Sequence, residues 1–443
     1  MKKILIAPVV FLMFLACKEP EKALTNPSLT LKSFTPNGTE WVINRADYAE
    51  KLQGFWLGQC IANWTGLITE MDKIGGEGLD GKGAGFYTRE NWGGPDEPNI
   101  WGSNRLRDTI DFYLEDSLWG ADDDTDIEYI YQELLLQNNT SMLTGEQIRD
   151  GWLKHIKHEE ENYLWVSNQT ALNLMLNGMV PPATSSPENN PDYEMIDAQL
   201  TTEIFGFYAP GRPEVARKMA ELPIETTARE NAEWISKFYV TMYSLAPVAD
   251  EKLSMKERLT WMAERAKKVL PEDSYSYSMY NFVREQFLSG KSWEEARDAL
   301  HQRYQVEQAD GYLWATEDKV CHGCFAGGIN FGASLISLFY GGGDFKETIK
   351  IGALCGWDSD NPTATWGGLL GFMIGKAGLE QTFGRKLGEK FNIHRTRVGF
   401  ENEGIDTFEN MAQKGLFIVD RVVQEELGGG IDPEKNVWYI PIP

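Results

Sequence analysis

One stretch narrows the possible folds more than any other: "CGWDSDNPTATWGGLLGFMIGK", Cys355 to Lys376. Gly367, Gly371 and Gly375 recur every fourth residue in an apolar run, which is one face of a helix. Such a face is smooth and suits close packing. The run opens with Asp358 and Asp360. Ser359 or Asp360 is a candidate N-cap, and Pro362 suits the first turn. Two carboxylates at the mouth of a buried helix need a partner, because a buried charge is costly unless compensated.

A second glycine-bearing stretch is "RADYAEKLQGFWLGQCIANWTGLITE", beginning at Arg45. Apolar residues recur there at helical spacing. Gly54, Gly58 and Gly66 allow close approach, and Glu70 stands at its end. Alone, Glu70 reads as an ordinary exposed acid closing a helix.

Helical periodicity continues along most of the chain. "TGEQIRDGWLKHIKH" and "SWEEARDALHQRYQ" each open on a capping box, Thr144 with Gln147 and Ser292 with Glu295. "RPEVARKMAEL", "ENAEWISKFYVTMYSLA" and "MKERLTWMAERAKKVL" read as further helices. Long β-alternating runs are hard to find, and no repeat or second linker appears. The expectation is an all-α, compact, single-domain multi-helix orthogonal bundle over 46–443. Residues 17–45, rich in Pro, Ser, Thr and Asn, read as a tether.

The first residues, "MKKILIAPVVFLMFLAC", pair two lysines with a short apolar run. That is a secretory signal, too short for a membrane span. Ala16 before Cys17 resembles a bacterial lipoprotein processing site. A signal over 1–16, acylation of Cys17 and a lipid-anchored place in the cell envelope are therefore expected. The formal charge of −24 repels nucleic acid and anionic lipid headgroups. Membrane contact would then come through the lipid alone, and a monomer is expected. Cys321 and Cys324 in "CHGC" lack the second pair of a zinc site, so structural cysteines, free or paired, are favoured over redox or metal roles. His155 and His158 read as a partly exposed polar face of the helix after Thr144.

A second acidic cluster precedes "IEYIYQELLLQ": Asp122, Asp123, Asp124 and, past Thr125, Asp126. Capping a helix that starts near Thr125 explains one or two of these carboxylates. It does not explain four, which repel each other unless a cation or water intervenes. Oxygen ligands without nearby His or Cys select a hard cation, Mg²⁺ ahead of Ca²⁺ or Mn²⁺.

These three pieces together resemble the ADP-ribosylglycohydrolases, dinitrogenase-reductase-activating glycohydrolases included. The early glycine helix matches through Gly54, Gly58, Gly66 and Glu70, with Ala62 and Asn63 in place of Gly-Asp. The T-D-D-T motif matches through Asp123, Asp124 and Thr125, with Asp122 for the leading threonine. The G-x-D-x-D-T motif matches through Gly356, Asp358 and Asp360, with Asn361 for the final threonine. The resemblance implies a compact all-α domain with two Mg²⁺ ions. It implies metal ligation by Asp122, Asp123, Asp124, Asp358 and Asp360, joined by the Asn361 amide oxygen, with Glu70 as a gating acid. The base that takes a proton from water is Asp123 or Asp358.

An exported enzyme of this kind meets other substrates than cytoplasmic ADP-ribosyl proteins. Trp92, Trp101 and Trp119 lie in or beside the loop ahead of the aspartates, where aromatic faces suit a sugar ring. Arg89 and Arg105 nearby could serve a pyrophosphate. The reading is a metal-dependent glycoside hydrolase cleaving a ribosyl or other furanosyl linkage outside the cytoplasm, in a small molecule or glycan. The alternatives are an ADP-ribose conjugate hydrolase and a non-catalytic glycan-binding lipoprotein.

Overall fold

The computed structural model describes residues 23–103, 106–314 and 321–443. The expected signal, Cys17 and Arg105 lie outside the described residues. Asn44 ends strand β1 (Glu40–Asn44), and its side chain accepts from the Ala46 and Asp47 amides, starting helix α1 (Arg45–Thr69). Helices α2 (Asp123–Gln137), α3 (Gly145–His155), α4 (Val166–Leu176), α5 (Asp197–Thr201), α6 (Ile204–Tyr208) and α7 (Pro213–Ile224) follow. Next come α8 (Glu230–Leu245), α9 (Met255–Ala266), α10 (Tyr275–Leu288) and α11 (Trp293–Leu300). The chain ends with α12 (Gly327–Gly341), α13 (Phe345–Cys355), α14 (Asp360–Phe383) and α15 (Phe408–Glu425). The capping boxes at Thr144 and Ser292 form as expected.

The two glycine helices are the centre of the molecule. A Cβ on Gly54 would stand 2.2 Å from the Gly371 carbonyl oxygen, and one on Gly58 2.3 Å from that of Gly367. Gly66 faces Thr363 and Asp360. The partner number falls as the α1 number rises, so the helices run antiparallel with backbones in contact. Thr363 Oγ1 donates to the Ala62 carbonyl across this seam (2.9 Å). Helix α14 is buried on every side for most of its length, as a helix apolar all round should be. Trp366 Nε1 ties it to Ser334 of α12 (2.7 Å), and Tyr243 Oη of α8 donates to Thr365 (2.5 Å). At Gly375 the backbone turns left-handed (φ 73°), and Glu50 accepts from the Ala377 amide where the helix resumes.

Two small sheets complete the all-α shell. One has the order β1–β6–β5, all antiparallel, with β5 at Gly430–Asp432 and β6 at Val437–Pro441. The other pairs β2 (Leu118–Trp119) parallel to β3 (Lys390–Asn392) and β3 antiparallel to β4 (Ile405–Thr407).

The expected tether does not extend to residue 45. From Ala23 onward the chain is docked on the domain. The Asn26 amide donates to Asp420 Oδ2 (2.9 Å), and Lys32 N donates to Gln424. Arg45 makes a two-pronged, fully buried ion pair with Asp420, which also accepts from Trp438 Nε1. Long-range pairing of polar residues, not local composition, holds this segment.

Cys321 and Cys324 form a disulfide, whereas Cys60 and Cys355 are buried thiols. Burial pushes Cys355 up to about 12. The two histidines do not share a polar helix face. Helix α3 ends at His155, which is buried, stacks on Phe400 and contacts the Val398 carbonyl (2.7 Å); His158 is exposed beyond it.

Candidate active site

The ends of α1 and α14 and the start of α2 meet at one cleft. The Met71 amide donates to the Trp357 carbonyl (2.8 Å), placing the residue after Glu70 against the residue before Asp358. Met71 and Trp357 are both left-handed (φ 57° and 58°), so each chain turns sharply beside its acid. Ser359 Oγ donates to the Gly66 carbonyl, which fixes the register between the helix ends. As a result, carboxylate oxygens of Glu70, Asp358 and Asp360 all lie within 4.8 Å of one another.

Helix α2 supplies the opposite wall. It begins at Asp123, two residues earlier than the sequence suggested. Asp122 is its N-cap, accepting from the Asp123 amide. The acidic run is divided by its surroundings. Asp122 and Asp123 line the cleft. Asp124 turns away from the cleft wall, and its Oδ2 accepts from Asn63 Nδ2 of α1 (2.7 Å). Asp126 faces Arg397 (3.2 Å) and accepts from the His394 amide, in a structural ion pair.

The cleft has a volume of 430 Å³. Its acids are Glu70, Asp122, Asp123, Asp197, Asp358 and Asp360. Asn361 and the aromatic side chains of Trp101, Trp165 and Phe325 complete the polar and aromatic lining, and neither Lys nor Arg appears among the described lining residues. Trp101 therefore lies where the sequence placed it. Trp119 does not: it is the last residue of β2 and fully buried, with Nε1 donating to the Gly388 carbonyl (3.0 Å). Trp92 packs edge-on against Phe112 (4.9 Å), outside the cleft lining, with the Lys350 ammonium over its ring. Neither can be a sugar platform in the cleft. Arg89 is also committed elsewhere, in a surface ion pair with Glu294.

Asn361 orients its neighbour. Its Nδ2 donates to Asp358 Oδ2 (2.6 Å), and the Asp358 amide donates to Asn330 Oδ1 (3.2 Å). Burial, then the neighbouring carboxylates, hold Asp123, Asp124 and Asp358 well above the usual carboxylate range. The Asn361 Oδ1 and Asp124 Oδ1 atoms are buried without a hydrogen-bond donor. Orphaned oxygens amid mutually repelling carboxylates fit a hard divalent cation.

Asp197, Trp165 and Asn330 escaped the sequence reading because no motif surrounds them. Asp197 reaches from α5 to start α4, accepting from Ser167 Oγ (2.6 Å) and from the Ser167 and Asn168 amides. The missing cap at Trp165 would have been the only clue, since no Ser, Thr, Asp or Asn stands there.

The fold and the cleft define a class: a helical bundle around an all-oxygen acidic centre. Residues 44–424 match the family model ADP-ribosylglycohydrolase, and the chain belongs to that family, whose members are metal-dependent hydrolases of ADP-ribose linkages. A solved structure described as "ADP-ribosylglycohydrolase-related protein complex" is 17% identical, with 84% of this chain and 98% of that chain covered and a TM-score of 0.47. Comparison with curated proteins gives no match.

Proposed function

We propose that this chain is a Mg²⁺-dependent glycoside hydrolase cleaving a ribosyl or other furanosyl linkage in a glycan. The observation that carries the reading is the cleft itself, in which six carboxylates and three aromatic rings come together with no lining cation among the described residues. Such a lining disfavours the pyrophosphate of ADP-ribose and suits an uncharged sugar. Glu70, Asp122, Asp123, Asp358, Asp360 and Asn361 would hold the metal, with Asp124 behind them. When bound, Mg²⁺ supplies Lewis acidity toward sugar hydroxyls and water.

The residues themselves do the rest. Asn361 and Asn330 hold Asp358, so its carboxylate meets the cleft in one orientation. Asp123 or Asp358 accepts the proton of the attacking water. The surrounding negative charge favours a C1 centre developing oxocarbenium character. Glu70, at the end of α1 and within 4.8 Å of Asp358 and Asp360, is the gating acid beside metal and substrate. We place the enzyme in the cell envelope, lipid-anchored through Cys17, acting as a monomer and without nucleic-acid partners.

The test is hydrolysis of furanosides and ADP-ribose conjugates with Mg²⁺ and with chelator. Asp123→Ala and Asp360→Ala should each lower turnover by about 10²–10⁴-fold while circular dichroism stays unchanged. Normal turnover in these variants, or indifference to chelator, defeats the metal reading. Turnover of ADP-ribose conjugates alone defeats the furanoside reading. Glycan binding without turnover would make the chain a binder.

A further inference from the structure

The chain has 15 tryptophans, all within the described residues. Two of them stand exposed, Trp101 at 48% and Trp165 at 50%, and both line the cleft. The other thirteen are buried or partly buried. Large aromatic faces left in water at the mouth of an acidic cleft are a cost to the free protein that a ligand would recover.

Trp165 is held there against resistance. Tyr163 and Val166 on either side are left-handed, at φ 57° and 33°. For a β-branched residue such as Val166 that conformation is an outlier and is kept only where the surroundings impose it. The imposing group is Asp197, whose carboxylate takes three hydrogen bonds from Ser167 and Asn168 and so pins the start of α4. The aromatic surface also continues past the cleft. The Tyr163 ring meets Trp165 edge-on (6.4 Å), and the Arg395 guanidinium lies over Tyr163 (4.7 Å) while donating to its Oη.

We propose that Trp101 and Trp165 clamp the sugar ring next to the one whose bond is cleaved, and that Tyr163 with Arg395 forms a shelf for the ring beyond. The substrate is then an oligosaccharide and not a furanoside with a small leaving group. This rests on the furanoside reading above and narrows it. The volume of 430 Å³ is more than one pentose ring fills. Adenine could stack on the same rings, but the phosphates attached to it would face the carboxylates.

The experiment compares methyl furanosides with furanosyl trimers of arabinose and galactose, and with ADP-ribose, on the full chain with Mg²⁺. Trp101→Ala and Trp165→Ala should each lower kcat/KM for the trimer that is cleaved by about three- to tenfold, mainly through KM. The methyl furanoside should change less than about twofold. Equal losses on both substrates overturn the clamp. So does weakened ADP-ribose binding with trimer binding intact. If the wild type cleaves no furanoside, the furanoside reading fails by itself. Calorimetric titration with the trimers then decides the clamp separately: weaker binding in Trp165→Ala supports it, and no trimer binding to the wild type overturns it.

Discussion

Asn361 touches the site at two atoms with opposite character. Its amide nitrogen holds Asp358, and its oxygen is left for something else. Asn361→Asp removes the donor and adds a like charge 2.6 Å from Asp358 Oδ2. In chelator this variant should melt several degrees below wild type, and its Mg²⁺-induced rise in Tm should be larger than that of wild type. Differential scanning calorimetry with and without Mg²⁺ reads both effects. At Val166 the expectation is the reverse of an ordinary glycine substitution. Val166→Gly relieves the left-handed strain, so stability should hold or rise. Trp165 loses its fixed seat, and trimer kcat/KM should fall. Asp358 and Asp360 were legible because carboxylates opening a buried glycine helix are locally anomalous, and Asp122 and Asp123 because capping does not account for so many acids in a row, whereas Glu70 taken alone read as an ordinary exposed acid. Trp119 was misplaced because its burial depends on β2 pairing with β3, far along the chain. Trp165 was missed because its exposure follows from Asp197, which no spacing rule connects to it.

Among the elements, the seam between α1 and α14 decides the geometry of the centre. Both glycine sets were readable as close-packing faces, and the structure sets each against the other. Gly58→Ala would drive a methyl group into the Gly367 carbonyl, at 2.3 Å, where no side chain can give way. Overpacking of this kind costs about 1–3 kcal/mol or more. The helices must part at the middle of the seam, about three turns from the end that sets Glu70 against Asp358, and the strain is passed along α1 to that end. The denaturation midpoint should fall, and Mg²⁺ affinity should fall with it, as urea titration and calorimetry would show. The N-terminal segment gives a second case. Arg45→Met leaves Asp420 buried with its main partner removed, a loss of about 3–5 kcal/mol. The tether reading failed here because Pro, Ser and Asn look alike in a linker and in a docked strap. Partners far along the chain, Asp420 and Gln424 in α15 among them, distinguish the two.

For the molecule as a whole, buried acids set the response to pH. Burial, outweighing their hydrogen bonds, pushes Asp197 up to about 6 and Glu203, which is buried just ahead of α6 and accepts from Thr365 Oγ1 of α14, to about 7. The folded chain therefore keeps protons that the unfolded chain has already released between pH 4 and 7. Stability gained from these protons is present at the acidic end of that window and is lost as pH rises through the folded values. In chelator, the urea midpoint should be lower at pH 7.5 than at pH 5, and Glu203→Gln should flatten the slope. Mg²⁺ should restore stability most at the higher pH, where the carboxylates are charged.

The glycine seam also bears on the order of events in folding. Its two helices come from opposite ends of the chain, so the contact that creates the centre closes one of the largest loops the sequence allows. Loop closure of that size is paid before any packing rewards it, and chains of this length gather structure in stages. Glu70, the first of the cleft acids to leave the ribosome, waits for one of the last helices to arrive. On the proposed metal reading, cation affinity is a property of the finished molecule, and an amino-terminal fragment ending before Asp358 should lack it. Uptake of Mg²⁺ during refolding would time the final step of the process.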